Sequence, residues 1–511
     1  MRTVNRKRNA KLNMLTGLLQ EIVALICGLI LPRFVLSFFG SAYNGILNSI
    51  TQFLSFSIVL RSGLGSVGHV ALYKPLADGD DEAISGVMVA TDKFMKKVSL
   101  ILIGLILAFS VIYPFIVLDE FDYWFSFSLI LIIGTSTFIE NMFSIKYKII
   151  LQADQKYYIQ TLAAIIAQIL STGVSVGIML LGGNIHLVKI GATLSFLSTP
   201  LFLNFYVKKH YNINWKVPAN NLALKQRWDA FAHQLATIVN NNVDVIILTL
   251  MCSMLEVSVY TVYFMVVKNM SQLVINSIAG IKPIFGDMMV REETDNLKNT
   301  FKNIESALFA GSTILFATTA ILLTPFVLLY TQGVTDVDYN RALFGYAMVA
   351  VHLMNVVRVP YQSVVEAAGH FKQTRNGAIL EVVCNIVCSV VFVYFFGIIG
   401  VILGTFVAAI IRTTQFAWYS NKKILNLSIW RVIKNYAVYF ATMALLIIFV
   451  PKIIPLNCAN YLEWIWKAVL VFVIVTVVVF IVLIIFNRKQ FAGVIKIIKN
   501  KIFAKKKREK N

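Results

Sequence analysis

The sequence predicts an all-α, polytopic membrane protein with about 14 transmembrane helices. Hydrophobic residues make up 58% of the 511 residues and charged residues only 14%, whereas soluble domains are roughly 45–50% apolar and about a quarter charged. A helix that crosses a bilayer takes roughly 20 apolar residues, so this composition accommodates about fourteen such helices. A soluble globular domain is therefore excluded.

Hydrophobic runs of spanning length occur along the whole chain and define the predicted helices. In chain order they cover residues 13–38, 43–66, 98–118, 124–142, 158–182, 185–206, 229–252, 256–286, 304–330, 340–362, 378–396, 399–419, 435–455 and 463–486. The longest connections, at 73–97 and 207–228, are too short to form a domain. Nearly the whole chain is therefore predicted to be membrane domain.

Lysine and arginine are concentrated in alternate connections. The chain carries 46 Lys and Arg against 25 Asp and Glu, a net charge of +21. Residues 93–97 and 208–227, for example, are rich in basic side chains, whereas the turn at 119–123 is acidic and the turn at 182–184 is neutral. Short cytoplasmic loops retain Lys and Arg, so the alternation predicts a multi-pass membrane protein with both termini in the cytoplasm. Topology therefore explains the excess charge better than nucleic-acid binding does.

The basic N-terminus and the cysteines indicate no processing site and no metal. The apolar stretch after the N-terminal basic residues is too long for a signal-peptide core, so it is predicted to be a retained first helix. The five cysteines form no CxxC pair and no zinc spacing, and most of them lie within hydrophobic runs; they are Cys27, Cys252, Cys384, Cys388 and Cys458. We therefore expect no disulfide framework, no metal site and no cofactor.

The chain resembles itself at a spacing of almost half its length. When the sequence is aligned with itself at an offset of 220, Tyr43 matches Tyr263 and Gln52 matches Gln272. At an offset of 216, the segment 151–156 aligns with the segment 367–372. Both matches pair a span with the sixth span after it, as in duplicated transporters. We therefore predict two six-helix lobes related by pseudo-twofold symmetry, residues 1–210 and 211–425. An extra helix pair at 426–487 and a basic cytoplasmic tail at 488–511, attracted to anionic lipids, would follow.

Several ionisable residues fall within predicted spans, where they are costly unless they face a bundle interior or a watery cavity. The basic ones are Arg33, Arg61, Lys189, Lys268, Lys282, Arg358 and Arg412, and the acidic ones are Glu21, Glu140, Asp229, Asp244 and Glu381. Residues near helix ends, such as Glu140, Lys282 and Glu381, could instead extend to the lipid headgroups. Lys268 has more than ten apolar or neutral residues on either side, so it needs a cavity. The excess of basic groups predicts a cationic cavity.

The seventh span carries a polar stripe. Asp229, His233, Thr237, the pair Asn240 and Asn241, and Asp244 recur at spacings that place them on one helical face. Such a stripe is typical of a helix that lines a cavity, and the first span has a shorter version that includes Gln20. Hydrogen bonding between helices is the alternative explanation, and a lone histidine is more often structural than a proton carrier. Glu21, Asp244 and Glu381 are the candidates for coupling to H⁺ or Na⁺.

No feature of the sequence indicates an enzyme. Membrane glycosyltransferases and polysaccharide polymerases need catalytic groups on a substantial loop, and the loops predicted to lie outside are short and nearly devoid of His, Asp pairs and Arg clusters. The sequence also contains no P-loop and no metal-ligand spacing.

The N-terminal region resembles the start of bacterial polysaccharide flippases of the O-antigen and capsule type, which belong to the multidrug/oligosaccharidyl-lipid/polysaccharide exporter superfamily. The similar residues are Leu31-Pro32-Arg33-Phe34, Gly40-Ser41-Ala42-Tyr43-Asn44-Gly45 and Ile50-Thr51-Gln52-Phe53-Leu54-Ser55. Residues 259–263 and 368–372 are similar to the same family, so the resemblance covers most of residues 1–430. The last two helices resemble the extra pair of the lipid II flippase.

The resemblance implies alternating access of a central cationic cavity and an undecaprenyl-diphosphate-linked oligosaccharide as substrate. It implies that Arg33, Arg61 and Lys268 hold the diphosphate, whereas the same role for Lys189, Arg358 and Arg412 rests on their depth in the membrane. Cationic side chains bind a diphosphate well in a low-dielectric cavity. Two alternatives remain: an ion-coupled multidrug or small-metabolite antiporter of the same superfamily, and a membrane scaffold for polysaccharide polymerases or glycosyltransferases.

Overall fold

The computed structural model describes residues 6–220, 242–278, 280–486 and 488. The regular structure in these residues is helical, and they contain no strand. Twelve of their helices are long and apolar enough to cross a membrane. The predicted all-α, polytopic class is confirmed.

The chain separates into two compact units, Met1–Ser258 and Val259–Asn511. The helices of the first unit are α1 (Arg6–Phe39), α2 (Ser41–Ser55), α3 (Ser57–Asp78), α4 (Asp81–Ile116), α5 (Tyr123–Ile139), α6 (Ile145–Ala153), α7 (Tyr157–Leu180), α8 (Ile185–Phe196), α9 (Ser198–His210) and α10 (Asn242–Met251). A π-helical turn, Glu140–Ser144, joins α5 to α6. The predicted lobe boundary at residue 210 stays a prediction.

The second unit begins within α11 and contains the remaining helices. They are α11 (Met254–Ser277), α12 (Ile281–Val290), α13 (Thr294–Tyr330), α14 (Ala342–Val357), α15 (Val359–Ala367), α16 (Phe371–Phe396), α17 (Ile398–Tyr419), α18 (Ile429–Ile453) and α19 (Tyr461–Phe486). A second π-helical turn, Ser420–Leu425, follows α17. The predicted basic tail after residue 488 lies outside the described residues.

Local side-chain chemistry determines where several helices begin. The carboxylates of Asp80 and Asp122 accept hydrogen bonds from backbone N–H groups in the first turns of α4 and α5, and the side-chain amide of Asn184 does the same for α8. These contacts satisfy donors that a helix N-terminus would otherwise leave open. At the other end of α3, Gly79 adopts φ 72°, a left-handed conformation that favours glycine.

Several predicted spans are interrupted rather than continuous. The second predicted span consists of α2 and α3, which meet at Phe56, and the sixth consists of α8 and α9, which meet at Leu197. In the second unit, α14 and α15 meet at Arg358, two residues before Pro360. Of the predicted seventh span, 229–252, only residues 242–251 are described, as the short helix α10.

The order of long helices recurs along the chain. The 36-residue α4 has its counterpart in the 37-residue α13, and the 24-residue α7 has its counterpart in the 26-residue α16. Many apolar side chains on these helices are exposed, such as Leu100 and Val387. Exposure of apolar side chains along a spanning helix is expected where lipid covers them.

Candidate functional site

Two arginines of the second unit share one carboxylate. Arg358, at the junction of α14 and α15, donates from Nη1 to Oε1 of Glu381 on α16 over 2.7 Å, and Nε of Arg412 on α17 lies 3.4 Å from Oε2 of the same carboxylate. The side chains of Arg358, Glu381 and Arg412 are 19%, 12% and 9% exposed. Two positive charges against one negative charge leave this triad with a net charge of +1.

Further contacts hold Arg412 in place. Its Nη1 donates to the backbone carbonyl of Thr374 over 2.8 Å and to Oε1 of Gln415 over 2.6 Å. Its guanidinium also lies 4.0 Å from the ring centre of Phe416, which adds a cation–π contact. By contrast, Nε of Arg358 is buried without a hydrogen-bond partner in the described part of the chain. Arg358 therefore has bonding capacity left for a ligand, whereas Arg412 has less.

Lys268 lies on α11, where no described residue provides a counter-ion for it. Its ammonium is 5.2 Å from the ring centre of Phe264, and the side chain makes no hydrogen bond or ion pair with any described residue. His352 on α14 packs against the same phenylalanine, with ring centres 5.6 Å apart. The predicted diphosphate residue Lys268 is thus an exposed cation beside an imidazole that sequence reasoning did not single out.

Hydrogen bonding indicates which nitrogen of His352 carries a proton. Ser271 donates its hydroxyl hydrogen to the carbonyl of Val267 over 2.9 Å, and its Oγ lies 2.9 Å from Nδ1 of His352. Because the serine hydrogen is already used, Nδ1 of the imidazole is the donor in the second bond. Nε2 of a neutral His352 is then an acceptor.

Lys189, on α8, lines a cavity of about 310 Å³ within the first unit. Its ammonium has no bonding partner among the described residues. Ser55 and Ser57, which flank the junction of α2 and α3, line the same cavity, as does Asn141 in the π-helical turn. Oδ1 of Asn141 is buried, and no residue in the described ranges donates a hydrogen bond to it. Interrupted helices therefore meet around this lysine, an arrangement that is frequent at binding sites of transporters.

The remaining candidate residues lie apart or outside the described residues. Arg33 is half-buried on α1, where Gln20 is also half-buried and Glu21 is exposed. Asp244 on α10 is buried at 7% exposure. Arg61 lies on α3, but its side chain is outside the described part. His233, Asn240 and Asn241 lie outside the described residues, so the predicted polar stripe is represented by Asp244 alone.

The structure reveals a buried polar cluster that the sequence analysis did not predict. Glu305, on α13, is fully buried and forms an ion pair with Arg431 of α18. Tyr361 donates to Oε1 of Glu305 over 2.6 Å, and Asn435 donates to Oε2 over 3.3 Å. Hydropathy places Glu305 at the beginning of a predicted span, whereas α13 begins earlier, at Thr294, and carries the glutamate well inside the helix. A buried ion pair therefore joins α18, the first helix of the extra pair, to α13 of the same unit.

No group of three His, Cys, Asp or Glu side chains that could hold a metal occurs in the described ranges. The described spans present cations without counter-ions, Lys189 and Lys268, and an arginine-rich triad.

Comparison with solved structures shows similarity to membrane transporters. A structure of the lipid II flippase MurJ in an inward closed conformation has a TM-score of 0.70 at 16% identity, and the match covers 94% of this chain and 99% of that chain. An inward-facing multidrug resistance MATE family transporter of the MOP superfamily has a TM-score of 0.59 at 16% identity, covering 79% and 95%. An outward-facing transporter of that family has a TM-score of 0.54 at 15% identity, covering 83% and 98%.

No protein-family model and no curated protein sequence matches the chain. At these low identities, what the solved structures share with this chain is the fold. The chain is a multi-pass membrane protein with the fold of the lipid II flippase and of the MATE transporters of the MOP superfamily.

Proposed function

We propose that this protein is a flippase that moves an undecaprenyl-diphosphate-linked oligosaccharide across the bacterial cytoplasmic membrane by alternating access. The observation that carries the proposal is the match to the lipid II flippase over nearly the full length of both chains. The MATE transporter leaves about a fifth of this chain unmatched, since its match covers 79%. A lipid-linked substrate is therefore favoured over a drug.

The sign of the charge supports an anionic substrate. Lys189 and Lys268 have no counter-ion in the described residues, and the triad of Arg358, Glu381 and Arg412 carries one excess positive charge. A diphosphate is bound well by ammonium and guanidinium groups in a low-dielectric setting. A site for cationic drugs would need unpaired carboxylates instead; in the second unit, Glu381 and Glu305 are both paired with arginine.

We assign the diphosphate to Arg33, Arg61 and Lys268. Sugar rings would contact the polar stripe of the seventh span, that is His233, Asn240 and Asn241, together with Gln20 of the first span. For ion coupling, Glu21 is a better candidate than Glu381, because two arginines already neutralise the Glu381 carboxylate. Asp244 is the other candidate.

The proposal includes orientation and partners. Both termini would lie in the cytoplasm, and the basic tail at 488–511 would contact anionic membrane lipids. H⁺, Na⁺ or the substrate gradient alone would drive transport. Glycosyltransferases would supply the substrate, and polysaccharide polymerases would consume it. The protein itself would be a transporter and not an enzyme.

The MATE family matches favour one alternative, an ion-coupled antiporter of drugs or small metabolites. A deletion strain separates the alternatives. The flippase assignment predicts loss of surface polysaccharide, accumulation of lipid-linked oligosaccharide on the cytoplasmic side and unchanged drug sensitivity, all restored by the wild-type gene. Normal polysaccharide together with increased drug sensitivity would favour the antiporter. If the protein were a scaffold, the deletion strain would also lose polymer, but a variant with its buried charges neutralised would still restore polymer.

A further inference from the structure

A cleft of about 470 Å³ lies in the first unit, on the side that is predicted to be cytoplasmic. It is lined by Tyr147, Val207, Lys208, Tyr211, Asn212, Ile213, Asn214 and Trp215. Most of these residues belong to the end of α9 and to the segment after it, which connects the sixth and seventh predicted spans. The residues proposed to hold the diphosphate are not among them.

The segment that forms the cleft is held firmly against the helices. The backbone N–H of Asn214 donates to Oγ of Ser85 on α4 over 3.0 Å, and the N–H of Asn220 donates to the carbonyl of Gly86 over 3.0 Å. Ile213 and Ala219 pack against a hydrophobic core cluster. The cleft is therefore formed in advance, which lowers the entropic cost of binding a ligand.

Two buried tyrosines, Tyr147 and Tyr211, are among the residues that line the cleft, and their hydroxyl groups are already bonded. Tyr147 donates to Oδ1 of Asn204 over 2.8 Å, and Tyr211 donates to Oδ2 of Asp154 over 2.5 Å. Trp215 is different, because it is 39% exposed and its indole N–H has no partner in the described residues. An exposed indole next to a cleft offers an apolar ring face and a polar donor together.

The polar groups of the cleft are mainly donors. The Lys208 ammonium and the Asn212 amide have no partner in the described part of the chain. Oδ1 of Asn214 accepts from the N–H of Lys216 over 3.0 Å, so its NH₂ group is what remains for a ligand. Donors and an ammonium suit an anion with several acceptor oxygens.

The carboxylates near the cleft are neutralised, which leaves Lys208 as uncompensated charge. Asp92 lies 2.5 Å from Lys146 and 2.8 Å from Lys96, and Asp154 lies 2.8 Å from Lys156. The Lys146 ammonium also lies 5.1 Å from the ring centre of Trp215, a contact that helps to fix the indole.

We propose that this cleft binds a sugar that carries a phosphate group, with the Trp215 indole against the sugar ring and Lys208 on the phosphate. The inference rests on the proposed function, because the head of a lipid-linked oligosaccharide would then meet this cleft before it enters the protein. Tryptophan and lysine also occur as anchors at membrane interfaces, and such an anchor would bind phosphate-bearing lipid without any need for a sugar.

The test uses the full-length protein in nanodiscs of phosphatidylcholine with N-acetylglucosamine 1-phosphate as the probe. Saturation-transfer NMR titrations would compare the sugar phosphate with N-acetylglucosamine alone and with inorganic phosphate alone. We expect the sugar phosphate to bind at least tenfold more tightly than either part. Trp215→Ala and Lys208→Ala should each weaken binding at least tenfold. The matched control is Trp124→Ala, which removes a tryptophan of the same unit that is more exposed than Trp215, at 69% against 39%, and it should have no effect.

Three results would overturn the inference: no binding by the wild-type protein, phosphate binding as tightly as the sugar phosphate, or phosphatidylglycerol displacing the probe in nanodiscs in a Lys208-dependent way. The last two would assign the cleft to phosphate or to lipid headgroups. Polymer export in the complemented deletion strain is measured separately. A chain that restores export but does not bind the probe contradicts only the cleft, and a chain that binds the probe but is dispensable for export contradicts only the flippase assignment.

Discussion

Lys268 is the residue on which the substrate assignment depends most. Its ammonium contacts the Phe264 ring at 5.2 Å, and α11 places it far from either end of an apolar helix. A cation in that position is costly unless water or an anion reaches it. An anionic substrate would provide the missing partner.

Replacing Lys268 with alanine should reduce polysaccharide export roughly tenfold or more, because a hydrogen bond to a charged group contributes about 1.5–3 kcal/mol. Lys268→Arg should retain most of the export, since it keeps the charge. Surface polysaccharide and lipid-linked intermediate would be quantified at equal membrane levels of protein. Lys452→Ala is the matched control, because Lys452 also lies over a phenylalanine, 5.4 Å from the Phe449 ring centre. Equal export by the two alanine variants would remove Lys268 from the site.

Replacing Glu381, the only acidic residue of the triad, should destabilise the protein. Glu381→Gln leaves Arg358 and Arg412 adjacent to each other without a counter-ion, and removing one partner of a buried ion pair costs on the order of 3 kcal/mol. We expect a clearly lower Tm of the purified protein in detergent. Glu463→Gln removes a more exposed pair, Glu463 with Lys467 at 2.6 Å, and should lower the Tm by much less, because solvent screens exposed ion pairs. A Tm of the Glu381 variant equal to that of the Glu463 variant would mean that the triad is not a unit.

At the scale of elements, α16 and α17 form a tight hairpin because two glycines of α17 face the backbone of α16. A Cβ at Gly400 would lie 2.2 Å from the backbone carbonyl of Phe392, and a Cβ at Gly404 would lie 2.3 Å from the backbone nitrogen of Ser389. The spacing of four residues is the one that lets membrane helices approach closely. The close approach also lets Thr405 donate to Oδ1 of Asn385 over 3.0 Å across the two helices.

Gly404→Ala should therefore force the two helices apart and destabilise the protein by about 1–3 kcal/mol, the usual cost of overpacking. Gly311→Ala is the control, because nothing lies within 4 Å of a Cβ built at that position of α13. Alanine is the better helix former, so the control should be neutral or more stable. Thermal unfolding in detergent would measure both variants. A Gly404→Ala variant that is as stable as the Gly311→Ala variant would show that the hairpin tolerates separation of its helices.

Hydropathy predicted where helices cross the membrane better than where they begin or end. The predicted third and ninth spans start at residues 98 and 304, whereas α4 and α13 start at Asp81 and Thr294. The additional turns carry lysines and acidic residues, because a helix can continue into the headgroup region, where polar side chains are solvated. The junction at Phe56 was also not predicted, since the chain remains apolar through it.

At the scale of the whole molecule, composition and the spacing of apolar runs were sufficient to predict the all-α membrane class. The partners of individual charges were not predictable in this way. Arg358, Glu381 and Arg412 meet only because of how three helices are rotated about their axes, and depth in the membrane does not determine that rotation. Glu305 was missed for the related reason that its helix is longer than its apolar run. Sequence patterns therefore identify the charges, and tertiary packing decides which of them pair.

The most direct measurement is reconstitution of the purified protein in liposomes that contain a fluorescent undecaprenyl-diphosphate-linked oligosaccharide. A membrane-impermeant reagent that bleaches the label reports how much of the lipid faces outward. The flippase assignment predicts that the wild-type protein makes the inner pool accessible, that protein-free liposomes do not, and that Lys268→Ala slows the process at least tenfold. Liposomes whose inner pool stays protected in the presence of the wild-type protein, with and without H⁺ and Na⁺ gradients, would contradict the assignment.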